Sequence, residues 1–309
     1  MSHSTNRRSF FRDATMVAAG MAGGVAGGFF PLRAPAIEPI GRNGTPRFKF
    51  SLAGYSYNRL LSGNPPKLTL DDFLADCARF GLDAADPTCY YFPKEVTREY
   101  LCHLKSVAFR LGLSFSGTAV ANDFCYPAGP DLDKQIAYVK KWIEYAEILG
   151  APVMRVYSGR VRGNLTVDEA YKAVAEAMEE CCDFAGKHGI FLSLENHGGL
   201  TATVEGTLRI LRDVKSPWFG MLMDTGNFQS ADIYGDLAKI APYTINTHVK
   251  VLVSGPDGKK VPADLKRVAK ILKDAGYRGY ILLEYEENED PREACPRFIE
   301  KIREAFAAA

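Results

Sequence analysis

Eight short apolar runs, each followed by a segment of helical period, constrain this chain more than any other feature. The runs are 48–55, 82–86, 113–119, 153–158, 190–195, 219–224, 244–250 and 280–284. Helical patterns fall near 69–80, 95–111, 132–149, 166–187, 203–213, 233–241, 262–275 and 291–307. A strand that returns through a helix pairs in parallel with its neighbour, and a parallel sheet needs cover on both faces. Gly81, Gly112, Gly150, Gly189 and Gly276 each follow a helical run, where a left-handed residue ends a helix. Thr69-Leu-Asp-Asp72 reads as an N-cap with acids in the first turn. Eight such units with no break in composition predict an α/β fold of one domain, a (β/α)₈ TIM barrel over 48–309. A doubly wound sheet would carry a Gly-rich phosphate loop after its first strand, and Tyr55-Ser-Tyr57 is not one.

The first residues belong to a different category. Asn6-Arg-Arg-Ser-Phe-Phe-Arg12 resembles a twin-arginine export signal. A weakly apolar Ala/Gly stretch follows it to Phe30, and Ala34 and Ala36 form an A-x-A cleavage pattern. The expectation is a signal peptide over 1–36, a linker over 37–47, and export to the periplasm or another extracytoplasmic space. The Ala/Gly stretch is too poor in bulky apolar residues to anchor well in a bilayer, and no later run is long enough to span one.

Removing residues 1–36 leaves 273 of the 309, a length that suits a barrel of roughly 250 residues. The whole chain has a formal charge of +1. The first 36 residues hold four arginines against one aspartate, so the remainder stands at −2. Without a basic run or stripe, nucleic acid is not an expected partner. The seven cysteines form no C-x-x-C pair, which argues against a thiolate metal site. Cys89 and Cys125 fall in loops, and the spacing leaves their pairing open. A homo-oligomer is also left open.

Chemistry in such a barrel sits at the C-terminal ends of its strands. The fifth strand ends in Glu195-Asn-His197 and the sixth in Asp224-Thr-Gly-Asn227. The seventh places Asn246, His248 and Lys250 on one face, and the eighth ends in Glu284-Tyr-Glu286. Four successive strands thus bring Glu, Asp, His and Glu to one rim. Three carboxylates do not crowd together without a cation. This donor set suits one divalent ion, Mn²⁺ first, or Mg²⁺ or Co²⁺, better than a structural zinc.

Those strand ends resemble the xylose isomerase-like barrel superfamily, in particular its sugar phosphate isomerase/epimerase group. The carriers are L-S-L-E-N-H at 192–197, M-D-T-G-N at 223–227, T-H-V-K at 247–250 and L-L-E-Y at 282–285. The resemblance implies that Glu195, Asp224, His248 and Glu284 bind one metal, as in ketose 3-epimerases. It also implies that Glu195 and Glu284 carry the proton transfers. Many relatives have His three residues after the Asp, where it helps hold substrate. This chain has Asn227, so the sugar does not transfer with the resemblance.

The chemistry follows from the residue types. Polarising a ketose oxygen acidifies the adjacent C–H, and a carboxylate can remove that proton to give an enediolate. Returning a proton to the opposite face epimerises the sugar. Returning it to the neighbouring carbon isomerises it, and loss of a β-leaving group makes the enzyme a lyase on a keto-sugar or keto-glycoside. The expected function is a sugar isomerase or epimerase acting on a free or modified small-molecule sugar. The lyase stands second, and a non-catalytic sugar-binding barrel third. His197, Asn227, Lys250 and Arg155 are candidate substrate contacts, although an interior ion pair is the favoured role for Arg155. Tyr55, Tyr57, Tyr90 and Tyr91 follow early strands and read first as loop packing.

Overall fold

The structure is a computed structural model that describes residues 38–255 and 258–309. The signal segment expected over 1–36 lies outside the described residues. The strands are β1 (Arg47–Ala53), β2 (Ala84–Asp86), β3 (Ser114–Phe115), β4 (Thr118–Ala119), β5 (Val153–Val156) and β6 (Phe191–Glu195). They continue as β7 (Phe219–Asp224), β8 (Thr244–Val249), β9 (Leu252–Ser254), β10 (Lys260–Pro262) and β11 (Arg278–Leu283). The helices are α1 (Asn58–Leu61), α2 (Leu70–Arg79), α3 (Arg98–Arg110), α4 (Pro130–Leu149) and α5 (Val167–Lys187). After them come α6 (Val204–Asp213), α7 (Ile233–Ile240), α8 (Leu265–Asp274) and α9 (Pro291–Ala308).

The main sheet runs β3-β2-β1-β11-β8-β7-β6-β5-β4, with its strands paired in parallel. Its two outer members are halves of one stave. The chain passes from Phe115 to Thr118 and so joins the sheet's ends, leaving a nearly closed barrel of eight staves. The sequence reads 113–119 as one continuous strand, and the structure breaks it at Ser116–Gly117, where the backbone runs close to its neighbours. A Cβ on Gly117 would lie 2.6 Å from Asp86 Oδ2 and 3.0 Å from the Val153 carbonyl oxygen. Only glycine lets the backbone pass that close.

Local signals agree with the tertiary arrangement. Thr69 and Asp72 form a capping box, with Thr69 N donating to Asp72 Oδ2 at 2.8 Å and Asp72 N donating to Thr69 Oγ1 at 3.2 Å. Thr166 and Glu169 cap α5 in the same way. The five glycines that follow helices all adopt left-handed φ, from 64° to 87°. Leu192, Leu194, Met221, Met223, Ile281 and Leu283 alternate with the inward residues of their strands and join the apolar core with the helices. Each such side chain contributes about 1.5–3 kcal/mol on full burial.

The helical pattern read near 262–275 starts later in the structure: β9 and β10 pair antiparallel, Val253 opposite Val261, and α8 begins at Leu265. Pro256 and Asp257, between these strands, lie outside the described residues. Cys89 and Cys125, whose pairing was left open, are both free thiols. No helix among the described residues is long and apolar enough to cross a membrane.

Candidate functional site

Strand register brings the four rim residues together. Asp224 pairs with His248 across β7 and β8, and His248 pairs with Leu282 of β11. Glu284 follows β11 directly and donates its backbone N–H to the Val249 carbonyl at 3.1 Å. Glu195 closes β6, opposite Leu222. Asn196, the next residue, clamps the strand ends. Its amide donates to the Asp224 carbonyl at 3.0 Å, and its carbonyl accepts from Asp224 N at 2.9 Å. Each of Glu195, Asp224, His248 and Glu284 offers one ligand atom, and these atoms lie within 4.8 Å of one another. All four residues are buried, none more than 6% exposed.

Two cations hold the outer carboxylates. Arg155 Nη1 donates to Glu195 Oε2 at 2.8 Å, and the Tyr157 hydroxyl accepts from the same guanidinium nitrogen. Lys250 Nζ lies 2.5 Å from Glu284 Oε2, 2.9 Å from Glu286 Oε1 and 3.4 Å from Asp224 Oδ2. His248 Nδ1 stands 3.2 Å from Glu284 Oε2 and 3.8 Å from Glu195 Oε1.

The titration of the site follows from this network. Burial would raise Glu195, but Arg155 and then His248 outweigh it and hold the carboxyl at about 2. Burial would raise Glu284 as well, and His248 and Lys250 hold it well below the usual carboxylate range. Asp224 goes the other way: burial lifts it to about 7, and Lys250 offsets this only in part. Burial would lower His248, yet Glu284 and Glu195 lift it to about 10. Protons on His248 and Asp224 thus relieve the repulsion that a cation would otherwise relieve.

Orphaned atoms test whether the residues fit such a cation. His248 Nδ1 and Asp224 Oδ2 are buried, and neither makes a hydrogen bond. Each has an ionic neighbour instead, Glu284 Oε2 at 3.2 Å and Lys250 Nζ at 3.4 Å, and both atoms belong to the same four-residue cluster. Three carboxylates and one imidazole, with no thiol, form a buried group that could hold a divalent metal ion.

A cavity of about 260 Å³ opens over this floor. Arg155, Lys250 and His197 line it with Glu195, His248 and Glu284, as do Tyr55, Thr88, Tyr90, Tyr157 and Glu286. The His197 ring leans on Tyr157, with centroids 4.4 Å apart. Thr201 Oγ1 accepts from His197 N and donates to the Glu195 carbonyl, which fixes the turn that carries His197.

Asn227, read as a substrate contact, is placed against a carboxylate. Its amide donates to Glu195 Oε1 at 3.2 Å, and it is not among the residues lining the cavity. Asn122 holds both main-chain groups of Tyr157. Sequence reasoning missed Glu286 and Tyr157 as wall residues. The signal was available: each stands two residues beyond an inward-facing member of its own strand, Glu284 and Arg155.

The family model described as xylose isomerase-like TIM barrel matches residues 74–305, more than half of the chain. This chain belongs to that family. Among solved structures, this xylose isomerase-like barrel is similar to D-psicose 3-epimerase from Clostridium cellulolyticum H10. The TM-score is 0.68 at 14% identity, over 84% of this chain and 99% of that one. An L-ribulose 3-epimerase superposes with a TM-score of 0.69 at 16% identity, over 84% and 95% of the two chains. A xylose isomerase domain protein from Planctomyces limnophilus gives 0.64 at 15% identity, over 86% and 100%. At these identities the likeness shows the fold. A comparison with curated protein sequences finds no match.

Proposed function

We propose that this xylose isomerase-like barrel is a divalent-metal-dependent sugar epimerase or isomerase that works through an enediolate. The observation that carries the reading is the buried Glu195, Asp224, His248 and Glu284 group at the floor of a polar cavity. Structural neighbours that are sugar epimerases support it. The four residues would hold the ion, with Mn²⁺ the first choice and Mg²⁺ or Co²⁺ the others. Bound there, the ion would supply Lewis-acid charge to a substrate oxygen.

The chain's own groups supply the rest. Glu195 and Glu284 come from different staves and are the proposed proton-transfer pair. In the metal-free protein Arg155 keeps Glu195 ionised, and His248 with Lys250 does the same for Glu284, so both carboxylates are available to accept a proton. Lys250 also brings a positive charge to the cavity beside a developing oxyanion. His197, with Tyr157 behind it, is the proposed contact for the sugar's hydroxyls.

Charge favours a neutral substrate. The carboxylates of Glu195, Asp224, Glu284 and Glu286 are balanced by Arg155, Lys250 and a dication, leaving no net positive charge for a phosphate. Incubating the metal-loaded protein with free keto-sugars in D₂O tests the proposal. Solvent deuterium should enter one carbon beside the carbonyl, in a stereoisomer or aldose product. Release of an aglycone or water would support elimination instead, and no exchange in any sugar would overturn the enediolate reading.

We also propose export by the twin-arginine route. Exported protein should begin near Ile37, and replacing Arg7 and Arg8 by Lys should block export. A mature protein retaining Arg7 would refute this.

A further inference from the structure

A second cavity of about 250 Å³ abuts the first and shares two of its wall residues, Tyr55 and Glu286. Its walls come from the segment after β1, Tyr55 to Arg59, and from the segment after β11, Tyr285 to Asn288. It contains none of the four candidate metal ligands. It therefore lies beyond Glu284 and away from the Glu195 side of the site. We propose that this cavity is a subsite for a second sugar unit, so that the preferred substrate is a glycosylated keto-sugar. This rests on the sugar epimerase or isomerase reading above.

Three observations carry the inference. The first is that the cavity is built. The Arg59 guanidinium donates to the Asn288 carbonyl at 2.9 Å and the Glu289 carbonyl at 3.1 Å, and it also binds the Glu287 carbonyl. One side chain thus ties together the two wall segments, which follow neighbouring staves. Lys250 fixes the shared wall from below, through Glu286 at 2.9 Å.

The second observation is the chemistry of the walls. Asn58 presents an amide, and its Oδ1 already accepts from Ser62 and Tyr91, which fixes the orientation of that side chain. Ser56 and Asn288 add further polar groups to the wall. Tyr55 stands between the two cavities, with its ring edge-on to Tyr90 at 6.3 Å. A hydroxyl-rich ring with one apolar face matches hydrogen-bonding groups beside an aromatic ring.

The third is charge. Arg59 is committed to main-chain carbonyls, while Glu286 and Glu287 face the cavity's side. An anionic second unit, such as a phosphate or a uronate, would meet carboxylates and no free guanidinium. A neutral sugar avoids that repulsion.

Binding energy from a remote unit raises kcat/KM when it helps seat the reacting end. The test compares free D-fructose, D-psicose and D-tagatose with the same ketoses carrying a glucosyl unit on O6. Each is given to the metal-loaded full chain in D₂O. A second protein, Asn288→Trp, places bulk at the wall of the second cavity and alters none of the proposed ligands or proton-transfer groups. The glucosyl compound should exceed its free partner by about tenfold or more in kcat/KM. Asn288→Trp should remove that advantage and leave turnover of the free ketose within about twofold. Equal kcat/KM for both forms in the wild type would overturn the subsite while leaving the epimerase reading intact. Equal loss on both forms in Asn288→Trp would do the same. Absence of exchange in all six sugars would remove the functional reading and this inference with it.

Discussion

Lys250 Nζ lies 2.5 Å from Glu284 Oε2, and the same ammonium reaches Asp224 and Glu286. One lysine thus stabilises three carboxylates on two staves, all but Glu286 buried. Removing one partner of a buried ion pair leaves uncompensated charge and costs about 3–5 kcal/mol. Lys250→Met should therefore lower the melting temperature of the metal-free protein strongly. A divalent ion that binds the same carboxylates should restore much of the loss. Thermal scans with and without Mn²⁺ check this, and a variant as stable as wild type without metal would contradict it.

Asp224 Oδ2 and His248 Nδ1 are buried atoms of the proposed ligand group that make no hydrogen bond. Asp224→Ala and His248→Ala each remove one donor and leave the remaining carboxylates to repel one another. Metal analysis should find one divalent ion per wild-type chain and reduced occupancy in both variants. Full occupancy in both would mean that the ligands lie elsewhere.

The pH dependence of metal binding has a definite sign. In the metal-free protein Glu284 and Glu195 lift His248 to about 10 against its burial, and burial lifts Asp224 to about 7. Both must lose their protons to serve as ligands. Metal affinity should therefore rise with pH across 6 to 8, and binding at pH 7 should release about one to two protons. Calorimetry in two buffers of different ionisation enthalpy measures that number. Affinity unchanged across this range would contradict the ligand assignment.

Much of the barrel was legible because its signals are local. Strand alternation, helix caps such as Thr69 and glycines such as Gly150 report a structure that forms over a few neighbouring residues. The candidate four-residue group was legible for a related reason. In a parallel barrel all strands end at one rim, so Glu195, Asp224, His248 and Glu284 did not need to be near one another in sequence. What stayed hidden depends on contacts across the chain. The β9–β10 pairing is a relation between two segments, each of which alone reads as loop. The split of the third stave falls at Gly117, which sits against Asp86 and Val153 from two other staves. Asn227 was expected to face substrate, and its bond to Glu195 depends on the turn after β7. The Asn196 clamp is equally invisible, since alternation says only that Asn196 points away from Glu195. The signal segment falls on residues outside those described.

The central claim is that Glu195 and Glu284 move protons at a carbon beside a carbonyl. NMR of keto-sugars in D₂O with metal-loaded wild type, Glu195→Gln and Glu284→Gln tests it most directly. Glutamine keeps the shape and one coordinating oxygen but cannot exchange a proton. Both variants should retain some metal, bind sugar near-normally and lose about 10²–10⁴-fold in turnover. The variant that still holds the abstracting glutamate should wash deuterium into the substrate without forming product. Wild-type turnover and exchange in both variants would contradict the account.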